Sequence, residues 1–347
     1  MSSPPQKLDI RQQTLDQLVT FFENHGEKPF RGRQVYQWLW EKSALDFQSM
    51  TNLSEKHRQL LSQHFEINIT QLDQSQISTD RTIKSAFKLY DGHVVEGVLI
   101  PSRHRMTACV SSQVGCSLSC KFCATGYMDQ ARNLEPAEIY DQVIHIRNQA
   151  QESYKKPLTN IVFMGMGEPL LNYQNVLTAV DHITSPQGLG MSSRRITVST
   201  AGIAKMIKKL GDDRVKFNLA LSLHAANDQK RSEIMPINDS NSLKALEGAL
   251  RYYYDATGND VTFEYIVFNN FNDTLDDARE LLKFSRKVPS MVNLIEYNPI
   301  EEANFVNTEK DRLRTFANFL EQNRVNVRIR YSRGKDIDAA CGQLANR

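Results

Sequence analysis

The sequence has little net charge, few cysteines and no long apolar run. No stretch of about 18 apolar residues occurs, which excludes an ordinary transmembrane helix. Residues 1–15 are polar, contain Pro4-Pro5 and lack the apolar core of a signal peptide, so we expect a cytosolic protein with no membrane partner. The 42 Lys and Arg residues nearly balance the 40 Asp and Glu residues, so any RNA-binding surface must be local.

Three of the five cysteines lie within one short loop. Cys116, Cys120 and Cys123 have the spacing C-x₃-C-x₂-C, and no fourth ligand lies nearby in sequence. In a reducing compartment such a group favours metal binding over a disulfide framework. A structural zinc site uses four protein ligands, whereas three thiolates suit an iron–sulfur cluster that keeps one iron open for a substrate. A zinc site and three merely buried thiols are the alternatives.

The first 75 residues predict a small helical domain. Apolar residues recur at helical spacing, with helices expected at 34–42 and 54–65 and with Gly26, Pro29 and Gly32 as breaks. Basic and aromatic side chains alternate there: Lys28, Phe30, Arg31, Arg33, Tyr36, Trp38, Trp40 and Lys42. This mixture suits phosphate contact and base stacking, but an aromatic core with a solvated charged face fits equally well.

Residues 76–105 predict a linking β-hairpin, because Asp91-Gly92 separates two strand-like runs. From residue 106 to 347, short β-rich runs alternate with helical stretches, which indicates an α/β domain with a parallel sheet that curls into a partial or full (β/α) barrel. We expect strands at 108–111, 161–164, 196–199, 217–223, 262–267, 292–297 and 325–331.

Polar or glycine-rich features follow five of these strands: the cysteine loop, Gly165-Met-Gly-Glu-Pro169, Thr200-Ala-Gly202, His224 and Asn298-Pro299. Barrel enzymes place their sites at the rim formed by the carboxyl ends of the parallel strands. Glycines let the backbone approach a ligand closely, and Glu168 can hold an ammonium group. Ser199, Ser222 and Asn298 can bind ribose or carboxylate groups, while His224 is as readily a structural residue.

Two cysteines lie outside the cluster loop. Cys341 occupies a small, glycine-containing segment after Arg328, Arg330, Arg333 and Lys335. We interpret it as a nucleophile on a flexible segment, where neighbouring cations favour the thiolate. Cys109 lies on the first predicted strand, seven residues before Cys116, and is expected near the same rim; an inert buried thiol is the alternative.

These motifs together resemble one group of radical S-adenosylmethionine (SAM) enzymes, the dual-specificity ribosomal and transfer RNA adenine-C2 methyltransferases. The resemblance covers nearly the whole chain. It rests on Val110-Ser-Ser-Gln-Val-Gly-Cys116, Cys120, Cys123, Arg132-Asn-Leu134, Phe163-Met-Gly-Met-Gly-Glu-Pro-Leu170, Ser222-Leu-His224, Met235-Pro-Ile-Asn238, Asn298-Pro299 and Asp336-Ile-Asp-Ala-Ala-Cys-Gly-Gln-Leu344. Pro29-Phe-Arg-Gly-Arg-Gln34 is similar to the accessory RNA-binding domain of that family.

The resemblance implies a role for each residue. Cys116, Cys120 and Cys123 hold a [4Fe–4S] cluster, Cys341 is the thiol that becomes methylated, and Cys109 is its partner thiol. The SAM-binding positions are Gly167, Glu168, Ser199, Ser222, Leu223, His224 and Asn298. Glu96, in Val95-Glu-Gly-Val-Leu-Ile-Pro101, matches the proton acceptor. The implied partners are 23S rRNA, tRNA and an electron donor such as flavodoxin or ferredoxin, and we expect a monomer.

The chemistry explains why such machinery is needed. Carbon 2 of adenine is electron-poor, so a radical route must replace direct displacement. The resemblance implies that Cys341 takes a methyl group from one SAM molecule, that a second SAM supplies the radical, and that Cys109 frees the product as a Cys109–Cys341 disulfide forms. Two alternatives stay open: a sister enzyme that methylates carbon 8 of the same rRNA adenine, and a non-catalytic RNA-binding protein with a structural zinc.

Overall fold

A computed structural model describes residues 7–346. Pro4 and Pro5, two of the residues that made a signal peptide unlikely, lie outside the described residues. None of the helices formed by residues 7–346 is both long enough and apolar enough to cross a membrane.

The N-terminal region is helical, as predicted. Its elements are β1 (Leu8–Asp9), α1 (Leu15–Asn24), α2 (Phe30–Trp40), α3 (Glu55–His64) and β2 (Phe65–Glu66). Thr14 begins α1 with a capping box, and Ser54 caps α3. The prediction that Gly32 breaks the chain was wrong. It lies inside α2, where a Cβ atom would come 2.5 Å from the backbone nitrogen of Val19, so glycine permits α1 and α2 to cross closely.

The aromatic side chains of α2 divide between core and surface. Trp40 is buried and stacks on His182 of the following domain with ring centroids 3.6 Å apart, so it belongs to the core. Phe30 is exposed with the Arg31 guanidinium 4.5 Å from its ring centre, and Trp38 has the Lys42 ammonium 4.0 Å from its ring centre. Only these last two pairs remain candidates for stacking on RNA.

The rest of the chain builds one ten-stranded sheet with helices between its parallel strands, and Gln113–Val114 and Arg132–Asn133 form a separate two-stranded antiparallel sheet. The elements are β3 (Gln71–Ile77), β4 (Ile83–Lys88), β5 (Val94–Pro101), β6 (Met106–Cys109), β7 (Gln113–Val114), β8 (Arg132–Asn133), α4 (Pro136–Tyr154), β9 (Asn160–Phe163), α5 (Tyr173–Thr184), β10 (Ile196–Thr200), α6 (Ala204–Asp212), β11 (Asn218–Ser222), α7 (Asp228–Ile234), α8 (Leu243–Thr257), β12 (Val261–Val267), α9 (Leu275–Ser285), β13 (Ser290–Glu296), α10 (Lys310–Gln322) and β14 (Asn326–Arg330).

The strand order is β14-β13-β12-β11-β10-β9-β6-β5-β4-β3, and all neighbours from β6 to β14 are parallel. The predicted α/β fold is therefore confirmed, as a partial barrel, because β3 and β14 form two separate edges. The hairpin β4–β5 also forms, but β5 pairs with β6, so the hairpin continues the main sheet. Strand β3, which the sequence argument missed, extends it further.

Candidate active site

An open cavity lies at the carboxyl ends of the parallel strands. Its walls bring together nine of the residues singled out from the sequence: Cys116, Cys120, Cys123, Gly167, Glu168, Ser199, Ser222, His224 and Cys341. Their positions span more than half of the chain, and the sheet alone gathers them, since each follows or ends a strand. The expectation that the motifs share one rim is therefore confirmed for the cysteine loop, the glycine loop, Thr200 and His224, whereas Asn298 does not line this cavity.

The three thiols of the cysteine loop lie in one wall of this cavity. Burial raises the pKa of Cys116 to about 11, and burial together with the charges of Cys123 and Cys116 raises the pKa of Cys120 well above its usual value. Buried thiolates in such proximity are unfavourable unless a metal centre offsets their charge.

The donor set fits an iron–sulfur cluster. Within residues 7–346, no group of three His, Cys, Asp or Glu side chains is arranged to hold a single metal ion. A cubane cluster differs from a single ion because its ligands bind separate irons. Three soft thiolates on a cavity wall can each bind one iron of such a cluster, and the cavity leaves room for a ligand on the fourth iron.

The glycines of the Gly165-Met-Gly167 loop are required by protein packing. A Cβ atom on Gly165 would lie 2.6 Å from Ser111 Oγ, and one on Gly167 would lie 2.5 Å from Gln113 Cβ. Gly167 also has φ of +91°, which L residues rarely adopt. These glycines let the loop cross residues 110–113, and because both also line the cavity, the expectation of close ligand approach stays a prediction.

Glu168 is buried at the cavity, and its two carboxylate oxygens accept hydrogen bonds from Leu170 N at 3.0 Å and Ala201 N at 2.7 Å. Burial raises its pKa. Each carboxylate oxygen can accept a further bond, so this side chain can still receive an ammonium group from the cavity.

Two serines and an asparagine supply neutral polar groups. Ser199 Oγ and Ser222 Oγ lie 3.3 Å apart on the cavity wall. Asn298 is buried, and its Nδ2 donates to the carbonyl of Cys341 at 3.1 Å. Its Oδ1 has no hydrogen-bond partner, and an unpaired buried acceptor of this kind is what a ligand donor would satisfy.

His224 is held as a neutral imidazole. Its backbone has φ of +53°, its Nδ1 accepts from Ile266 N at 3.1 Å, and its ring packs edge-on against Phe122. Burial, with the charge of Arg231, lowers its pKa to about 3. The ring therefore has a structural anchor on Nδ1 and carries its proton on Nε2. Its neighbour Leu223 is fully buried and does not line the cavity.

Cys341 reaches the cavity from the C-terminal segment and is exposed there. Arg330 favours the thiolate, as expected of a neighbouring cation. Burial is the larger influence and raises the pKa of Cys341, and the charge of Glu264 acts in the same direction. The expected flexible segment is in fact held by several hydrogen bonds, which include that from Asn298.

Cys109 ends β6 and is buried, and it lines a second, smaller cavity together with Cys341 and Arg330. Burial and the charge of Cys341 raise its pKa to about 12. Glu96 is the one predicted catalytic residue that lines neither of these two cavities. Its buried carboxylate lies beside Lys84 and the end of the chain.

Two arginines at this rim have contacts that the sequence did not predict, and only Arg330 was named there, as one of several cations before Cys341. Arg231 is fully buried and donates to the carbonyls of Ala201, Ser222 and Leu223 and to Asn238 Oδ1, so it holds the ends of two strands. Arg330 lies beside both Cys109 and Cys341 and pairs with Glu264 at 3.2 Å. The motif Met235-Pro-Ile-Asn238 was the available signal for Arg231, since Asn238 is its partner.

Comparison with known proteins agrees with this geometry. The family model described as the ribosomal RNA large subunit methyltransferase N-terminal domain matches residues 8–67, and that of the radical SAM superfamily matches residues 110–284. A probable dual-specificity RNA methyltransferase RlmN from Cytophaga hutchinsonii is 60% identical over 344 residues, covering 99% of this chain and 94% of that protein. The chain belongs to the RlmN family of radical SAM enzymes.

Other RlmN proteins extend the match. The dual-specificity RNA methyltransferase RlmN of Geotalea uraniireducens is 42% identical over 342 residues, covering 99% of this chain and 98% of that one. The crystal structure of a radical SAM methyltransferase from Sphaerobacter thermophilus superimposes with a TM-score of 0.92 at 37% identity, covering 98% of this chain and all of that one. Membership of the radical SAM superfamily implies a [4Fe–4S] cluster and SAM, and the thiols and polar groups around the main cavity fit both.

Proposed function

We propose that this RlmN-family enzyme methylates carbon 2 of an adenine in 23S rRNA and of an adenine in the tRNA anticodon loop, with Cys341 as a covalent methyl carrier. The RNA class rests on the names of the relatives, which are called dual-specificity RNA methyltransferases. The choice of carbon 2 rests on the motif resemblance along the whole chain.

One observation carries the proposal. Cys341 faces the same cavity as Cys116, Cys120 and Cys123, and it shares a second cavity with Cys109. A cluster-binding wall, a solvent-reachable thiol and a buried second thiol therefore meet in one place. A methyl carrier needs that combination, because its sulfur must first receive a methyl group and later be attacked by another sulfur.

We assign the bound groups as follows. Cys116, Cys120 and Cys123 hold the cluster, while Gly167, Glu168, Ser199, Ser222, His224 and Asn298 hold SAM. Glu168 is suited to the amino group, and the free Oδ1 of Asn298 is suited to a hydroxyl or amino donor. When bound, the cluster and SAM supply a 5′-deoxyadenosyl radical that removes a hydrogen atom.

The protein's own thiols carry out the remaining steps. Cys341 sulfur attacks the methyl carbon of a first SAM molecule and becomes S-methylcysteine, with S-adenosylhomocysteine as the leaving group. After that methyl group loses a hydrogen atom, its carbon adds to the adenine ring and joins RNA to Cys341. A base, for which Glu96 is the candidate, takes the ring proton, and the adduct gives up one electron, which the cluster would accept when bound. Cys109 thiolate then attacks Cys341 sulfur and breaks its bond to the added carbon, which takes a proton and becomes the methyl group of the freed base. The disulfide that remains must be reduced.

The partners follow from this chemistry. The half-buried Trp38–Lys42 pair and the exposed Phe30–Arg31 pair of α2 are suited to contact RNA. The adenine must leave its stack to reach the cavity. We expect a flavodoxin or ferredoxin to supply electrons, and we expect the enzyme to act as a monomer.

A trapping experiment tests the role of the two thiols. Cys109→Ala should accumulate RNA covalently joined to Cys341, because release is blocked, whereas Cys341→Ala should form no such species. Denaturing gels with labelled RNA fragments measure both. Normal turnover by Cys109→Ala would remove Cys109 from the mechanism, and a crosslink in Cys341→Ala would remove Cys341.

A further inference from the structure

The segment that carries Cys341, residues 334–346, is fastened at its start to the turn between β3 and β4. Gly334 N donates to Asp80 Oδ2 at 3.0 Å, and Ser78 Oγ donates to Asp336 Oδ1 at 2.5 Å. Both bonds join residues more than 250 positions apart in sequence. The hairpin region thus anchors one end of this C-terminal segment.

The middle of the C-terminal segment is joined to the cluster loop. Ala124 N donates to the carbonyl of Gly342 at 2.7 Å, and Thr125 Oγ1 donates to the carbonyl of Leu344 at 2.6 Å. The first and third residues after Cys341 are therefore tied to the loop that follows Cys123.

The last described residues of the C-terminal segment are hydrogen-bonded to Glu96. Its Oε2 accepts from Ala345 N at 2.9 Å and from Asn346 N at 3.1 Å, while its Oε1 lies 3.3 Å from Lys84 Nζ. Glu96 is 2% exposed and Lys84 is 5% exposed. A buried carboxylate with a buried cation on one oxygen needs donors for its other oxygen, and the two amides are those donors.

We propose that Glu96, supported by Lys84, is a positioning residue for the methyl-carrier thiol. It binds the backbone amide of Ala345, three residues beyond Gly342. This contact keeps the C-terminal segment packed in place and so fixes the position of Cys341 in the cavity. The importance of that place rests on the proposed role of Cys341. In this arrangement Glu96 lines neither cavity and both of its carboxylate oxygens have partners, so the contacts support a positioning role, which is compatible with the proposed role as a base.

Two truncations separate positioning from proton transfer. Ending the chain after Leu344 removes both amide donors but leaves the Glu96 carboxylate intact, whereas the control that ends after Asn346 retains both donors. The experiment uses the cluster-loaded enzyme under anaerobic conditions. Amide hydrogen exchange of peptides within 337–344 should be at least about tenfold faster in the shorter variant, as expected when hydrogen bonds to a charged group are lost. The control should match the full chain.

A second readout addresses catalysis. With saturating SAM and no RNA, methylation of Cys341, followed by peptide mass spectrometry, should slow about tenfold in the shorter variant while its melting temperature stays near that of the control. Glu96→Gln should change both readouts in the same direction, because its single amide oxygen cannot serve both the two backbone amides and the Lys84 ammonium, and the negative charge is lost.

The proposal is overturned if the shorter variant has the exchange pattern and Cys341 methylation rate of the control. It is also overturned if Glu96→Gln abolishes RNA turnover while both readouts stay at full-chain values, since Glu96 would then act only as a base. Failure of the full chain itself to methylate Cys341 would contradict the proposed function instead. The hydrogen-exchange comparison would still show whether Glu96 holds the C-terminal segment in place.

Discussion

The loop that carries Glu168 depends on the absence of a side chain at position 167, and Gly167→Ala tests this. The added Cβ would lie 2.5 Å from Gln113 Cβ and 2.9 Å from Gln113 N, at a backbone φ of +91°. The left-handed backbone costs about 1–2 kcal/mol and overpacking costs about 1–3 kcal/mol, so the expected loss is about 2–5 kcal/mol in free energy of unfolding. Gln113 Oε1 also accepts from Glu168 N at 2.8 Å, so displacement of Gln113 should shift Glu168 in the proposed SAM site.

Gly248→Ala is the matched control. Gly248 lies within α8, and a Cβ atom there would meet no atom within 4 Å. Alanine in a helix interior is favoured by up to about 1 kcal/mol over glycine. Thermal denaturation should show a lower melting temperature for Gly167→Ala and an equal or higher one for Gly248→Ala, and equilibrium dialysis should show weaker SAM binding only for the first. Equal melting temperatures for the two variants would refute the packing argument.

Three further predictions concern other parts of the molecule. Gly32→Ala should lower the stability of the N-terminal domain by about 1–3 kcal/mol, because its Cβ meets Val19 backbone; unchanged proteolysis of α1 and α2 would contradict this. Arg231→Met should cost about 3 kcal/mol or more, since it leaves three carbonyls unpaired, and an unchanged denaturation midpoint would contradict that. With its pKa raised to about 12, Cys109 gains thiolate about tenfold per pH unit, so rapid-quench assays should show faster release of crosslinked RNA at pH 9 than at pH 7, whereas a plateau near pH 8 would contradict it.

Much of this fold could be predicted because its signals are local. The seven parallel strands are short β-rich runs between helical stretches, and each was expected within a few residues of where it lies. The motifs at their carboxyl ends then had to share one rim, because parallel strands place those ends on the same side of a sheet. The cysteine loop, Glu168, Ser199, Ser222 and His224 meet in the cavity for that reason.

The remaining features depend on contacts between distant segments. Gly32 was expected to interrupt a helix, because glycine is a poor helix former. It instead lies within α2 at the point where α1 crosses it. The pKa of Cys341 was expected to fall because of its basic neighbours in sequence, but burial and Glu264, which a different strand contributes, raise it. Glu96 meets amide groups 249 and 250 positions away, and no local pattern encodes that meeting.

The central claim is that Cys341 carries a methyl group to carbon 2 of adenine in RNA. Nucleoside mass spectrometry of ribosomal and transfer RNA tests it, in a host that lacks its own enzyme and expresses either this chain or Cys341→Ala. The account predicts 2-methyladenosine with the intact chain and none with the variant. The appearance of 8-methyladenosine, or of 2-methyladenosine with Cys341→Ala, would contradict it.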